Sequence, residues 1–377
     1  MRILIVGGGT GGTVVANNLA RRLSAEIRAH KVHLTMLSAS DKHLYQPGLL
    51  YVAFGQMTPD QLYRDQASLL ESSVEFHVDP VEKFQLDRKQ VVTRSGKTYE
   101  YDILIIATGS RVVPEEVPGL NEGSENFYTV EGAVRLRRRL MEFQGGTIAM
   151  VISLPHKCPV APVEAMFMLH DFFKARGIRD KVRLRYHYPV NKVHATANVA
   201  VWAKPEFDKA GIEYETLFNL KEVDPVKQIV YSEEGTECQY DLLIAIPPHR
   251  GMEEIEQNEM GQAGWIPTDR HKLTMNGYDN VYVIGDATNI PVSKTGSAAH
   301  FEAEVVSENI ESLIKTGSTV REYDGRVYCF IEGGFDRATY NAFDYVNLPV
   351  LKPPSKSIHW FKMAYNKMYW TTVRGLL

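Results

Sequence analysis

Cysteine is scarce in this sequence. The chain has three in 377 residues, an odd number and too few for a disulfide framework, so any pair that comes together is there for chemistry. Neither sign of charge dominates: 42 lysines and arginines face 46 aspartates and glutamates, which leaves no basic surface for nucleic acid. No apolar run approaches the length needed to cross a bilayer. The opening MRILIVGGG enters a buried-type strand with no charged-then-apolar leader, so no secretory signal is expected and the body is expected on the cytoplasmic side. No cluster of side chains calls for a metal. What remains is a globular composition, long enough for two domains and an extension.

Residues 1–23 read as strand, glycine turn and helix: RILIV, GGGTGG, TVVANNLARRL. KVHLTMLSAS (31–40) is a second strand, and DKHLYQPGLL a loop. Residues 74–94 alternate as short antiparallel strands with a turn at Leu86–Arg88, and YDILIIATGS is a buried strand that closes the unit. After Pro114–Gly119 the pattern restarts, through AVRLRRRLMEF, GTIAMVIS, PVEAMFMLHDFFKAR and VRLRYHYP to CQYDLLIAIPP. Both halves end in Tyr-Asp and a buried strand, which predicts a duplicated α/β architecture. The expected division is a first domain of residues 1–113 and 256–310, a second of 114–255, and a C-terminal extension of 311–377.

Gly7, Gly9 and Gly12 stand in G-x-G-x-x-G spacing between a strand and a helix. Glycine there permits a tight turn and close approach of the backbone to a pyrophosphate, which the helix N-terminus stabilises. The second strand of such sites usually ends in an acid that binds ribose hydroxyls. Here that place is Ser38, which can still hydrogen-bond.

With that turn, the stretches ATGS (107–110, holding Thr108 and Gly109) and VYVIGDAT (281–288) resemble the FAD-containing disulfide reductase superfamily. The resemblance implies a glutathione-reductase-like fold of two Rossmann-like domains, with FAD as cofactor. It also places Asp286, of the Gly285–Asp286 pair, on the flavin's ribityl chain. KTGSAAHFEAEVV (294–306) reads as a helix starting near Thr295–Gly296, whose dipole would favour negative charge on the flavin pyrimidine. Lys294 either adds charge there or is an exposed lysine.

Where the second domain should open with another glycine motif, the chain reads PHKCPVAPVE (155–164). Proline supplies no N–H and the close approach that glycine gives is gone, so NAD(P)H is not the expected donor. Cys158 is either a thiolate favoured by a helix N-terminus, Lys157 and His156, or a buried structural cysteine. The pair Cys158 and Cys329, the latter in VYCFIEGGFD (327–336), resembles the sulfide:quinone oxidoreductases and the related flavocytochrome c sulfide dehydrogenases. The resemblance covers essentially the whole chain. It implies that hydrosulfide attacks a Cys158–Cys329 disulfide, that Cys158 carries the persulfide, and that Cys329 passes two electrons to FAD. Glu164 is then a general base, or alternatively an acid complementing a helix dipole.

Two departures matter. No cysteine lies between Thr108 and Lys157, where many members carry a third active-site thiol, and none lies in DKHLYQPGLL, where flavocytochromes attach FAD. FAD is therefore expected to be non-covalent. Cys238 is read as structural. The tail SIHWFKMAYNKMYWTTVRGLL (357–377) spaces Phe361, Ala364, Tyr365, Met368 and Tyr369 for one helix face, with Lys362, Lys367 and Arg374 around them. Such a helix lies in a lipid interface, or packs on the protein or at a subunit contact. A peripheral membrane protein reducing quinone is the favoured reading, with Phe330 and Pro248 as quinone contacts and a homo-oligomer left open. The rivals are a flavocytochrome-type subunit, a type II NADH:quinone dehydrogenase and a flavin redox sensor.

Overall fold

The computed structural model describes residues 1–347 and 350–376. In chain order its principal elements begin with β1 (Arg2–Val6), α1 (Thr10–Arg22), β2 (His33–Ser38), β3 (Glu75–Val78) and β4 (Ile103–Ile106). Then come β5 (Gly146–Ile152), α2 (Ala161–Ala175), β6 (Val182–Tyr188), α3 (Ala197–Ala210), β7 (Ile212–Thr216) and β8 (Leu242–Ile246). β9 (Val281–Val283), α4 (Gly296–Thr316), β10 (Val327–Glu332), β11 (Ala338–Phe343) and α5 (Lys356–Thr372) complete them.

Two parallel sheets form the body. The first has the order β9-β4-β1-β2-β3 and the second β7-β6-β5-β8. Parallel strands covered on both faces are near-continuous apolar runs, and β4 and β8 are buried at every residue. In each sheet the first strand, β1 or β5, has successors on both sides, so a crevice opens beyond its C-terminal end. That geometry puts Gly7–Gly9 at one crevice and residues 153–160 at the other.

Each half also carries a three-stranded antiparallel meander, Val81–Gln85, Gln90–Thr93 and Thr98–Glu100 in the first, Leu220–Asp224, Ile229–Ser232 and Glu237–Gln239 in the second. The first corrects one expectation. Glu75–Val78 is not an antiparallel strand; it pairs parallel with β2, Met36 opposite Phe76, and fills the hydrogen-bonding edge that β2 would otherwise leave open. The Leu86–Arg88 turn is a single 3-10 turn ended by Lys89 at φ +52°.

The tail closes the molecule. β10 and β11 form a hairpin with Cys329 opposite Asn341 and Phe330 opposite Tyr340. α5 starts at the Ser355 cap, whose hydroxyl accepts from Ile358 N–H at 3.2 Å. Its residue Tyr369, and Val373 just past its end, join the main apolar core that underlies both sheets. Among the described residues no helix is long and apolar enough to cross a membrane.

Candidate active site

One cavity of about 550 Å³ runs from the Gly7–Gly9 turn to β10 and α5, a size ordinary for a cofactor or substrate site. At one end the glycines do what their spacing requires. A Cβ on Gly7 would meet the Ala107 carbonyl oxygen at 2.3 Å, and one on Gly12 the Gly7 oxygen at 1.9 Å. Above Gly9, Gly109 and Gly296 nothing lies within 4 Å, because each faces the cavity. No side chain caps α1, so its first N–H groups are left for a ligand. Thr108 Oγ1 is buried on the cavity wall without a hydrogen-bond partner. Open glycines, a bare helix N-terminus and an orphaned hydroxyl fit a dinucleotide. Ser38 lines the same end, with its hydroxyl accepting from Ser40 N–H at 3.2 Å.

Further along, Gly285 and Asp286 line the wall, and Asp286 Oδ2 accepts from Ser110 Oγ at 2.9 Å. α4 begins at Gly296 with Thr295 as its cap. Lys294 is not an exposed lysine. Its ammonium donates to the Asp286 carbonyl at 3.1 Å and to that of Thr288, and it sits 4.3 Å over the Trp265 ring. Burial lowers its pKa.

Cys158 and Cys329 reach the cavity from separate elements, the first from residues 153–160 and the second from β10. Both are free thiols, packed with Val160, Val199, Ala298 and Ile331. The expected thiolate stabilisation is outweighed by burial, although Lys362, the Ala161 N–H and Lys157 pull the Cys158 pKa down. Cys158 precedes the Val160 cap of α2, in a left-handed conformation at φ +50°, so it is not part of the helix. Lys157 turns to Gln46 Oε1 at 2.7 Å and lies 3.9 Å from Asp286, while burial holds His156 neutral at a pKa of about 4. Burial, reinforced by the Glu164 charge, pushes the Cys158 thiol up to about 12. It raises Cys329 as well, with help from Cys158 and Glu164. Cys238 is buried elsewhere, against Arg185 Nη1 at 3.0 Å.

Glu164 is only 4% exposed. It lies in the first turn of α2, whereas Cys158 lies outside that helix. Glu164 Oε1 accepts from the Glu332 N–H at 2.8 Å and forms an ion pair with Lys362. The Lys362 ammonium is also 3.6 Å from Glu332 Oε1. Burial alone would discharge Lys362, but Glu164, Tyr51 and Glu332 outweigh it and keep the ammonium charged. Lys362, one of the basic residues around the apolar positions of the tail helix, points inward, and so does Tyr369. Tyr369 hydroxyl is 2.7 Å from His43 Nε2 and 2.8 Å from Thr10 Oγ1. The outer face of α5 is nonetheless apolar, with Trp360 69% and Phe361 62% exposed beside Tyr365 and Met368.

Phe330 lines the cavity and packs on Phe361 and Tyr365, with ring centroids 5.7 and 5.8 Å away. Pro248 does not line it. Its carbonyl accepts from Val113 N–H at 2.8 Å, in the strand pairing of Ser110–Val112 with His249–Gly251. Sequence reasoning missed Tyr51, Glu332 and Lys362. Strand alternation was the available signal for Glu332, since it shares a face with Phe330.

Residues 1–303 match the pyridine nucleotide-disulphide oxidoreductase family. The chain is 27% identical to the mitochondrial sulfide:quinone oxidoreductase of Mus musculus over 361 residues, covering 92% of this chain and 79% of that one. It is 26% identical to the sulfide-quinone reductase of Aquifex aeolicus, over 99% of this chain and 91% of that one. The X-ray structure of the sulfide:quinone oxidoreductase from Aquifex aeolicus superposes with a TM-score of 0.88 at 24% identity, over 99% of this chain and 91% of that chain.

Proposed function

The chain belongs to the pyridine nucleotide-disulphide oxidoreductase family, and on that premise we propose that it oxidises hydrosulfide through Cys158 and Cys329 and delivers the electrons, by way of FAD, to a quinone. The observation that carries this reading is the convergence of two cysteines, from residues 153–160 and from β10, on the cavity that opens at the glycine turn. The mouse and Aquifex relatives point the same way.

Gly7, Gly9 and Gly12 with the first turn of α1 would hold the pyrophosphate, Ser38 the ribose end, and Asp286 the ribityl chain. Thr295 and Gly296 would present the α4 dipole to the flavin ring. When bound, FAD supplies the two-electron acceptor for the cysteine pair and the donor to quinone. With no cysteine in the loop after β2, it is held non-covalently.

The two free thiols would first lose two electrons and two protons to the enzyme's own acceptor and join as a Cys158–Cys329 disulfide, which hydrosulfide attacks. The bond between the two cysteines breaks, a new sulfur–sulfur bond leaves a persulfide on Cys158, and Cys329 departs as thiolate. Both sulfurs sit where burial disfavours a thiolate, so the site needs a proton acceptor beside them. Glu164 fits: its charge is felt at both cysteines, and Oε1 is already engaged by Lys362 and Glu332, leaving Oε2 to take a proton. Quinone enters at the cavity wall where Phe330 meets Phe361 and Tyr365 of α5, whose exposed aromatics rest on a bilayer surface. The domain division at 113/114, 255/256 and 310/311 is kept in this reading.

The test is anaerobic reduction of the purified yellow protein. Sulfide is expected to bleach the flavin and NADH is not, Cys158→Ser and Cys329→Ser each abolish bleaching, and decylubiquinone restores the colour. Bleaching by NADH alone overturns the proposal.

A further inference from the structure

Quinone reduction consumes two protons with its two electrons, and the cavity wall has to be refilled with protons from outside. The inference below rests on the quinone reading just given. Behind Lys362 lies a chain of buried polar groups that the sulfur chemistry does not use. Glu332, 1% exposed, is the hub. Its Oε1 accepts from Tyr51 Oη at 2.9 Å and lies 3.6 Å from Lys362 Nζ. Its Oε2 is 2.9 Å from His359 Nδ1. Tyr51 in turn accepts from Asn366 Nδ2 at 3.1 Å. Tyr51, Lys362 and Asn366 line the cavity; Glu332 and His359 do not. His359 is buried, its side chain one-tenth exposed beside the outward-facing Trp360, at the end of the chain away from the cavity.

Charge balance supports a proton-carrying role. Two buried carboxylates, Glu164 and Glu332, face a single ammonium, Lys362. A buried cluster with a net negative charge is strongly disfavoured, so it gains by holding one proton more than its lysine supplies. The Glu332–His359 hydrogen bond joins an imidazole whose side chain is one-tenth exposed to a carboxylate whose other oxygen accepts from Tyr51 and lies beside Lys362.

We infer that His359 and Glu332 form a proton-entry path to the quinone end of the cavity. Lys362 or Tyr51 gives a proton to a quinone oxygen. Glu332 returns one to it from Oε1 and takes the replacement at Oε2 from His359 Nδ1. His359 then regains its proton from solvent. Two such cycles match the two electrons delivered, and no other reactant is consumed. His359 and Glu332 act through Lys362 and Tyr51 and do not touch the substrate.

The experiment separates the two half-reactions in the flavin-loaded protein. Sulfide bleaches the flavin anaerobically, decylubiquinone is then mixed in, and the return of absorbance is followed from acid to alkaline pH. His359→Gln keeps a hydrogen-bonding side chain next to Glu332 but cannot relay a proton. It is expected to bleach within about twofold of the wild-type rate and to reoxidise at least tenfold more slowly, as loss of a general acid route requires. Added imidazole should restore part of that rate, which a packing defect would not allow. Glu332→Gln should show the same split without rescue. Wild-type reoxidation with an unaffected His359→Gln variant overturns the relay alone. So does a variant that loses both half-reactions and thermal stability together. If quinone fails to reoxidise the wild type, the quinone reading itself falls and takes the relay with it.

Discussion

Burial moves ordinary carboxyls toward neutrality, and Glu302 in α4 is a case that can be measured without any substrate. Its carboxylate accepts the Gly285 N–H directly beneath Asp286. Desolvation raises its pKa from 4.5 to about 7, against the opposing pull of Gly285 N–H and Lys294, with Asp286 adding to the rise. Between those two pH values the folded chain holds a proton that the unfolded chain has lost, so stability falls as pH rises through that window. The cost is about 3 kcal/mol once pH exceeds the folded pKa. Glu302→Gln keeps an acceptor for Gly285 and removes the titration. It should match the wild type in denaturant unfolding at pH 4 and exceed it by roughly that amount at pH 8. Identical pH profiles would contradict the assignment. Residues of this kind were not legible in the sequence. Cys158, Cys329 and Asp286 sit in stretches that resemble those of a known family, whereas Glu302, Glu332 and Lys362 differ from solvated charges only in what packs over them. Lys362 is the clearest instance, since a lysine on an aromatic amphipathic helix reads as facing water until β10 and Glu164 are placed beneath it.

At the scale of elements, the two strand-to-helix connections show how one fold carries two chemistries. The turn after β1 is built from glycines whose missing Cβ atoms admit a ligand, and it was readable because no side chain fits at Gly7 or Gly12. The connection after β5 has a cysteine and two prolines instead, and its meaning was readable only as a departure from the first. Its conformation was not readable. The left-handed Cys158 is held by its N–H on the Lys294 carbonyl at 3.0 Å, a contact across the molecule. The tail helix was half readable: its aromatic pattern was evident, but not that Tyr369 and Lys362 turn inward. The outward residues predict how it meets lipid. Trp360→Glu with Met368→Glu places charge on the exposed face and touches neither cysteine. Two large apolar side chains contribute about 3 kcal/mol or more on burial, so flotation on phosphatidylcholine–phosphatidylglycerol vesicles should fall about 100-fold. Bleaching by sulfide should be unchanged. Undiminished flotation would assign the face to a protein contact.

The whole molecule is closed by a tail that the duplicated architecture does not require, packed on a core common to both sheets. The two parallel sheets were foreseeable from paired Tyr-Asp-strand endings, because apolar strands with crossover helices have few other solutions. That the tail would supply the counter-charge for an acid of the second half was not, since nothing local couples residue 362 to residue 164. The consequence is that stability and chemistry share one ion pair. Removing Lys362 alone, as Lys362→Met, leaves Glu164 buried without its partner and should destabilise the protein by about 3–5 kcal/mol. Glu164→Gln with Lys362→Met leaves a neutral amide that still accepts the Glu332 N–H, while Glu332 keeps Tyr51 and His359. The double variant should therefore recover most of that loss, a coupling of at least about 2 kcal/mol in a double-mutant cycle read by denaturant unfolding. Bleaching by sulfide should stay impaired in the double variant, because Glu164 no longer accepts a proton there. Additive losses in stability would mean that the pair contributes nothing to closing the cavity and that α5 is held by its other contacts, among them Tyr369, His359 and Asn366.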